Sequence, residues 1–284
     1  MGKVLIIDVG RCTGCTSCVI ACKDEYVAND WSPYSKPQPE YGHFWMNLDK
    51  IERGSTPKVK VTYIPRPCMH CDNPPCVRAC VVKAITKRDD GIVLIDPAKC
   101  NGCEGLPSKL CIDACPYNAI FFNDDLKIAQ KCTMCAHLLD DPDWKFGPRC
   151  YDVCPLDGVM IFGDENDPKI KELLAKAEVL KPELNTKPRV YYLNLPKPFI
   201  AGCVVDPEAK EVIIGAKVTA LELSTGQKYE ASTDEFGDFW LRNLKWNQAY
   251  LLKVEKEGYK EKVLGVCKTD KDINVGDIFL EKQS

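Results

Sequence analysis

The run Cys12-Thr13-Gly14-Cys15-Thr16-Ser17-Cys18-Val19-Ile20-Ala21-Cys22 packs four thiols into eleven residues, and three further quartets repeat its logic. They are Cys68, Cys71, Cys76 and Cys80; Cys100, Cys103, Cys111 and Cys115; and Cys132, Cys135, Cys150 and Cys154. Each opens C-x2-C, adds a third cysteine at a variable distance, and closes with x3-C. Sixteen of the eighteen cysteines are thereby accounted for. Three thiolates from one short loop and a fourth from elsewhere are how a [4Fe–4S] cubane is held. At four thiolates per cubane, sixteen cysteines call for four clusters, and the chain reads as a conductor of electrons.

Two other uses of cysteine fit less well. A disulfide scaffold belongs to small secreted domains. Here Val4-Leu5-Ile6-Ile7 is too short for a signal h-region and meets Asp8 at once, so a cytoplasmic protein is expected. Structural zinc sites pair two C-x2-C couples, whereas every quartet here closes in x3-C. The closing cysteines Cys115-Pro116 and Cys154-Pro155 also carry the proline of the ferredoxin C-P signature.

The quartets come in two kinds. Ile7-Asp8-Val9-Gly10-Arg11-Cys12-Thr13-Gly14-Cys15 is echoed by Ile95-Asp96-Pro97-Ala98-Lys99-Cys100-Asn101-Gly102-Cys103. Pro67-Cys68-Met69-His70-Cys71 is echoed by Lys131-Cys132-Thr133-Met134-Cys135. The order a, b, a′, b′ describes two ferredoxin-like modules whose halves exchange closing cysteines. Spacing leaves adjacent and nested exchange equally open.

With 284 residues the chain has room for two domains. Net charge is −3, and from Phe199 onward there are 12 basic and 15 acidic residues, leaving 26 of each before it. Each four-thiolate cubane adds about −2 when oxidised. Arg11, Lys23, Arg66, Lys99, Lys131 and Arg149 flank the cysteines and are candidates to offset that charge. No basic run points to nucleic acid, and no apolar stretch reaches transmembrane length. No nucleophile–base pair or Gly-rich phosphate loop is present, so no catalytic site is expected on this chain. His43, His70 and His137 are read as hydrogen-bonding or surface residues, because the thiolate count is already complete. The aromatics of the Tyr26 to Lys60 insert (Trp31, Tyr34, Tyr41, Phe44, Trp45) are expected to pack over a cluster.

Lys3 to Asp8 and Ile92 to Ile95 are strand-like runs leading into cluster loops, the second preceded by a turn at Asp89-Asp90-Gly91. Asn166-Asp167-Pro168 reads as a helix start, followed by Ile170, Leu173, Leu174, Ala177 and Leu180 at helical spacing up to Lys181-Pro182. Residues 183–198 read as an extended strap. Beyond Phe199 come short strands and turns, among them Tyr250, Leu252 and Val254 alternating with polar neighbours, which predict a small antiparallel sandwich. Cys203 and Cys267 lie there and read as buried free thiols. The expected organisation is α+β: a double two-cluster ferredoxin-like domain over 1–165, a helix and strap over 166–198, and a β-sandwich over 199–284.

The four-quartet layout resembles the iron–sulfur electron-transfer subunits of molybdopterin oxidoreductases of the dimethyl sulfoxide reductase family. The resemblance implies nested exchange. One cluster would then take Cys12, Cys15, Cys18 and Cys154, and a second Cys132, Cys135, Cys150 and Cys22. A third would take Cys68, Cys71, Cys76 and Cys115, and the last Cys100, Cys103, Cys111 and Cys80. It also implies a large molybdopterin-bearing catalytic partner (molybdenum or tungsten) and an external electron donor or acceptor.

Within that family, Gly42-His43-Phe44-Trp45-Met46-Asn47, Cys132-Thr133-Met134-Cys135-Ala136-His137-Leu138-Leu139-Asp140-Asp141 and the run Lys181 to Tyr192 are similar to small subunits of pyrogallol–phloroglucinol transhydroxylase and its relatives that act on phenols. The tail, through Gly215-Ala216-Lys217-Val218, Thr233-Asp234-Glu235-Phe236-Gly237 and Gly258-Tyr259, resembles the transthyretin-like, carboxypeptidase-regulatory-like β-domain of that branch. The transhydroxylase branch has lost ligands at one of its four sites, and this chain keeps all sixteen. Moving a hydroxyl between phenols needs no net electrons. An intact conductor suits phenol hydroxylation or reductive dehydroxylation, with transhydroxylation the third reaction in the expected set. A respiratory reductase for arsenate, polysulfide or nitrite, exported beside a twin-arginine-bearing partner, is the alternative within the family. A free-standing polyferredoxin is the alternative outside it.

Overall fold

In the computed structural model, which describes residues 2–283, the chain divides into two compact units. One comprises residues 1–50 and 62–195, and the other residues 51–61 and 196–284.

The first unit, which holds all four quartets, is mostly loop. β1 (Lys3–Asp8) leads into the first cysteine loop, and α1 (Ser17–Tyr26) leaves it. A hairpin of β2 (Asn47–Ser55) and β3 (Lys58–Arg66) follows, and its tip, 51–61, is part of the second unit. α2 (Pro75–Ala79) precedes the hairpin of β4 (Ile85–Lys87) and β5 (Val93–Ile95). The same plan recurs: α3 (Leu110–Asp113), then the hairpin of β6 (Ile120–Asn123) and β7 (Ile128–Lys131). α4 (Ala136–Leu139), α5 (Arg149–Asp152) and β8 (Met160–Asp164) complete the cysteine region.

α6 (Pro168–Leu174) starts where the sequence indicates. Asp167 accepts hydrogen bonds from the backbone N–H groups of Lys169 and Ile170, and Pro168 occupies the first turn. It is shorter than the periodicity predicts, since Ala177 and Leu180 lie beyond its end. Glu178 is drawn off into a backbone bridge with Tyr192, donating and accepting at 2.8 Å. The strap is likewise more than extended chain. Its β9 (Val190–Leu193) pairs in parallel with β1, which pairs antiparallel with β8.

The second unit has two sheets. One contains β10 (Ile200–Asp206), β11 (Glu211–Val212), β14 (Asp238–Leu241) and β17 (Ile273–Phe279). The other runs in the order β13 (Lys228–Ser232), β12 (Lys217–Glu222), β15 (Ala249–Glu255), β16 (Lys262–Lys268). The alternation of Tyr250, Leu252 and Val254 points all three into a core shared with Val218, Ala220, Phe239 and Leu241. The sandwich is not wholly antiparallel: β10 and β17 run parallel. Cys203 and Cys267 lie on different sheets, free and half-buried rather than buried.

Candidate metal centres

The closing x3 spacing acquires a physical meaning in the first unit. Residues four apart sit one above the other on a helical turn. Cys18 and Cys22 lie on α1, and Cys76 on α2 has Cys80 just after it. Cys111 on α3 and Cys150 on α5 are each followed four residues later by Cys115 and Cys154. Each turn therefore offers two sulfurs about 6 Å apart along the helix, enough to reach two neighbouring sites. α1 packs on α5 and α2 on α3, so the turns meet in pairs.

Four cavities result, three bordered by four cysteines and one by five. Site I is lined by Cys12, Cys15, Cys18 and Cys154, and site II by Cys22, Cys132, Cys135 and Cys150. Site III is lined by Cys71, Cys76, Cys115 and Cys68, the last of which also reaches the wall of site II. Site IV is lined by Cys80, Cys100, Cys103 and Cys111. Each cavity holds about 340–400 Å³ of space free of protein atoms, part of it open to solvent. The linings are otherwise largely apolar, with Leu5, Tyr26 and Met46 at site II and Ile85, Ile95 and Phe122 at site IV. Among the described residues, no three His, Cys, Asp or Glu side chains converge on a point that one ion would fill. Thiols spread around a cavity suit a polynuclear cluster and not tetrahedral zinc, whose ligands must all lie within about 2.3 Å of one atom.

The sites are linked one to the next through shared elements. Sites I and II are joined through Cys18 and Cys22 on α1, and sites III and IV through Cys76 and Cys80 at α2. Sites II and III share a wall made by Cys68 and His70.

The local backbone is shaped for this arrangement. Gly14 and Gly102, at matching places in the repeat, have φ of +73° and +61°. A Cβ on Gly14 would meet the Tyr63 ring at 2.6 Å, and one on Gly102 the carbonyl of Lys127 at 2.2 Å. Backbone N–H groups point at sulfur: Met134 to Cys132 at 3.3 Å, Arg149 to Cys135 at 3.4 Å, Ala84 to Cys80 at 3.3 Å and Ala129 to Cys100 at 3.4 Å.

Burial raises most of these thiols, and neighbouring cysteines add to the effect. Cys18, Cys71, Cys111 and Cys132 are pushed up to about 12, and Cys22 and Cys150 well above the usual thiol value. Cys15, at the surface, is lowered chiefly by hydrogen bonding with Ser17. Four thiolates per cavity are thus unfavourable by themselves, and iron supplies the positive charge that holds them ionised. The donor set, the cavities and the N–H···S bonds all fit a cubane, which when bound supplies one-electron redox capacity.

Of the flanking cations, most are committed elsewhere. Arg66 pairs with Asp49, Arg149 with Glu25 and Asp152, and Lys99 with Asp96. Lys23 donates to the carbonyls of Pro39 and Gly42. Lys131 is different: only 2 % exposed, it donates to the carbonyls of Val93 and Cys132. Its charge favours the ionised forms of Cys76, Cys115 and Cys132.

The insert aromatics do not cover the sites as expected. Tyr41 and Phe44 are exposed. Trp31 stacks on His137 at 4.2 Å, and Trp45 lies against Tyr26 at 4.5 Å. It is Tyr26, at the end of α1, that reaches the wall of site II, its hydroxyl 2.6 Å from that of Thr133. His137 contacts Glu25 at 2.9 Å, in the hydrogen-bonding role expected of it. His43 stacks on Phe121. His70 lines two of the cavities, which no spacing argument signals.

The chain matches family models for two 4Fe-4S dicluster domains, at residues 11–84 and 59–165, and for a carboxypeptidase regulatory-like domain at residues 200–279. It is 41% identical to the pyrogallol hydroxytransferase small subunit of Pelobacter acidigallici, over 97% of this chain and 98% of that one. It is 38% identical to a tetrathionate reductase subunit of Salmonella typhimurium, over 69% of this chain and 74% of that one. The arsenate respiratory reductase iron–sulfur subunit of a Shewanella species is 32% identical over 67% of this chain and 95% of that one. With sixteen cysteines around four cavities and two dicluster matches across them, this chain carries four [4Fe–4S] clusters and belongs to the iron–sulfur electron-transfer subunits of the dimethyl sulfoxide reductase family of molybdopterin oxidoreductases.

Proposed function

We propose that this chain wires a large molybdopterin catalytic subunit, acting on a phenolic compound, to an external redox partner, and that electrons travel along sites I, II, III and IV in that order or its reverse. The carrying observation is the lining of the cavities: each combines three cysteines of one quartet with the closing cysteine of another, and site II meets Cys68 as well. On this reading the ligand sets are Cys12, Cys15, Cys18 and Cys154; Cys132, Cys135, Cys150 and Cys22; Cys68, Cys71, Cys76 and Cys115; and Cys100, Cys103, Cys111 and Cys80. The functional parts are the cluster domain over 1–165, the helix and strap over 166–198, and a transthyretin-like β-domain over 199–284.

A phenolic substrate is supported by the extent of likeness. The pyrogallol hydroxytransferase relative matches through the β-domain, whereas the tetrathionate reductase relative covers 69% of this chain. The full set of sixteen thiols favours a reaction with net electron flow, hydroxylation or reductive dehydroxylation, over internal transfer of a hydroxyl. The reductase relatives support a second reading, in which the same conductor serves a respiratory reductase. Among the described residues no helix is long and apolar enough to cross a membrane. The proposed place of work is the cytoplasm, with export beside a twin-arginine-bearing partner as the alternative.

The test is turnover of the purified complex with a phenol. Conversion should require an added donor or acceptor and should collapse when site IV is emptied by Cys100→Ala with Cys103→Ala. Full-rate conversion in that variant without any redox partner would show an internally balanced reaction and remove the net-electron reading.

A further inference from the structure

His70 stands between the two middle sites and is held there by its own backbone. It is 1% exposed, lines both site II and site III, and occupies the left-handed region at φ +43°. A non-glycine residue in that conformation is strained and persists only where its surroundings enforce it. The Val93 backbone N–H donates to its Nδ1 at 3.0 Å, so that nitrogen carries a lone pair and the proton of the neutral ring lies on Nε2. Nε2 is buried and has no hydrogen-bond partner among the described residues. A stranded buried donor is costly, and His70 forms part of the wall shared by two cluster cavities.

We propose that the Nε2–H of His70 donates a hydrogen bond to a sulfur of the cluster pair in sites II and III, and so sets the potential of the middle of the conductor. The inference rests on the cluster reading above. A donor to cluster sulfur stabilises the reduced, more negative state and raises the reduction potential. His70 acts here as a positioning and tuning residue, with no proton transferred. Lys131 works from the same region through charge, being buried and bonded to carbonyls, and is a separate lever on the same clusters.

The experiment is an EPR-monitored redox titration of the full-length, anaerobically purified protein. Signals are assigned to sites II and III by their loss in Cys132→Ser and Cys71→Ser. His70→Leu should shift the midpoint of the site II or site III cluster downward, leave sites I and IV in place, and keep about sixteen iron per chain. His70→Gln, which restores an N–H donor, should recover most of the shift. Unchanged midpoints at full iron content, or an equal shift with Gln and Leu, would overturn the role. If His70→Leu fails to assemble clusters, the unmodified protein decides. Histidine labelled with ¹⁵N should give a nuclear coupling in the pulsed EPR of a reduced site II or III cluster, and its absence would overturn the proposal. Iron well below sixteen in the unmodified protein would instead mean that the cluster reading has failed.

Discussion

The two units of this chain are held together by different means. The β-rich unit has one continuous apolar core, with Val218, Phe239, Leu241, Leu244, Tyr250, Leu252 and Val254 all 1% exposed or less. In the cysteine-bearing unit, small clusters such as Val4, Ile6 and Ile170, or Ile92, Met134 and Ala136, stand apart from one another. Another is built around the site-lining cysteines Cys76 and Cys111. One unit is closed by hydrophobic burial alone; the other, besides buried side chains such as Ile7, Tyr26, Met69 and Tyr192, keeps cavities inside its fold and fills them with iron and sulfide.

The strongest way to break that contrast is to remove the metal. Anaerobic chelation should abolish amide protection across residues 1–50 and 62–195 and spare the β-domain strands, read by hydrogen exchange with mass spectrometry. Equal loss in both units, or in neither, would contradict the division. A smaller perturbation separates the sites. On the proposed ligand sets, Cys22→Ser should cost the site II cluster, about four of sixteen iron, and leave the EPR signal of site I intact. Loss at site I in its place would mean that the closing cysteines do not exchange.

In the other unit, Leu252→Ala removes a fully buried side chain and should lower stability by about 2–5 kcal/mol. The exchange of β12 and β15 amides would report it, with iron content unchanged. Last and smallest, Cys203→Ser and Cys267→Ser should alter neither iron nor cluster spectra, since both are half-buried and lie in the β-domain. A drop in iron in either variant would tie the two units together chemically.

The four quartets were legible because thiolate spacing is imposed by the cubane and survives any loop length between modules. Which quartets exchange was not, since C-x3-C on a helical turn serves adjacent and nested pairing alike. The packing of α1 on α5 and α2 on α3 is what the proposed nested sets lean on. The start of α6 was written in Asp167-Pro168, but its end depends on the bridge between Glu178 and Tyr192, a long-range contact. Tyr250, Leu252 and Val254 announced a half-buried strand. The parallel pairing of β10 with β17 could not be read, because strand direction leaves no mark in periodicity. For a related reason the sequence took His70 no further than a hydrogen-bonding or surface role. Its meaning lies in the Val93 amide twenty-three residues away and in two cavities assembled from distant loops.

The hairpin of β2 and β3 has one more consequence. Its tip, residues 51–61, belongs to the β-rich unit, where Arg53 pairs with Asp272 and Lys58 with Asp238. Within the chain this unit is therefore discontinuous, with one piece encoded inside the cysteine region. A graft of the β-domain onto a related conductor must carry both pieces. A deletion after residue 195 would leave the hairpin tip behind without its ion-pair partners. Recombination between such genes thus meets a built-in barrier: exchanging the tail alone separates Arg53 from Asp272 and Lys58 from Asp238.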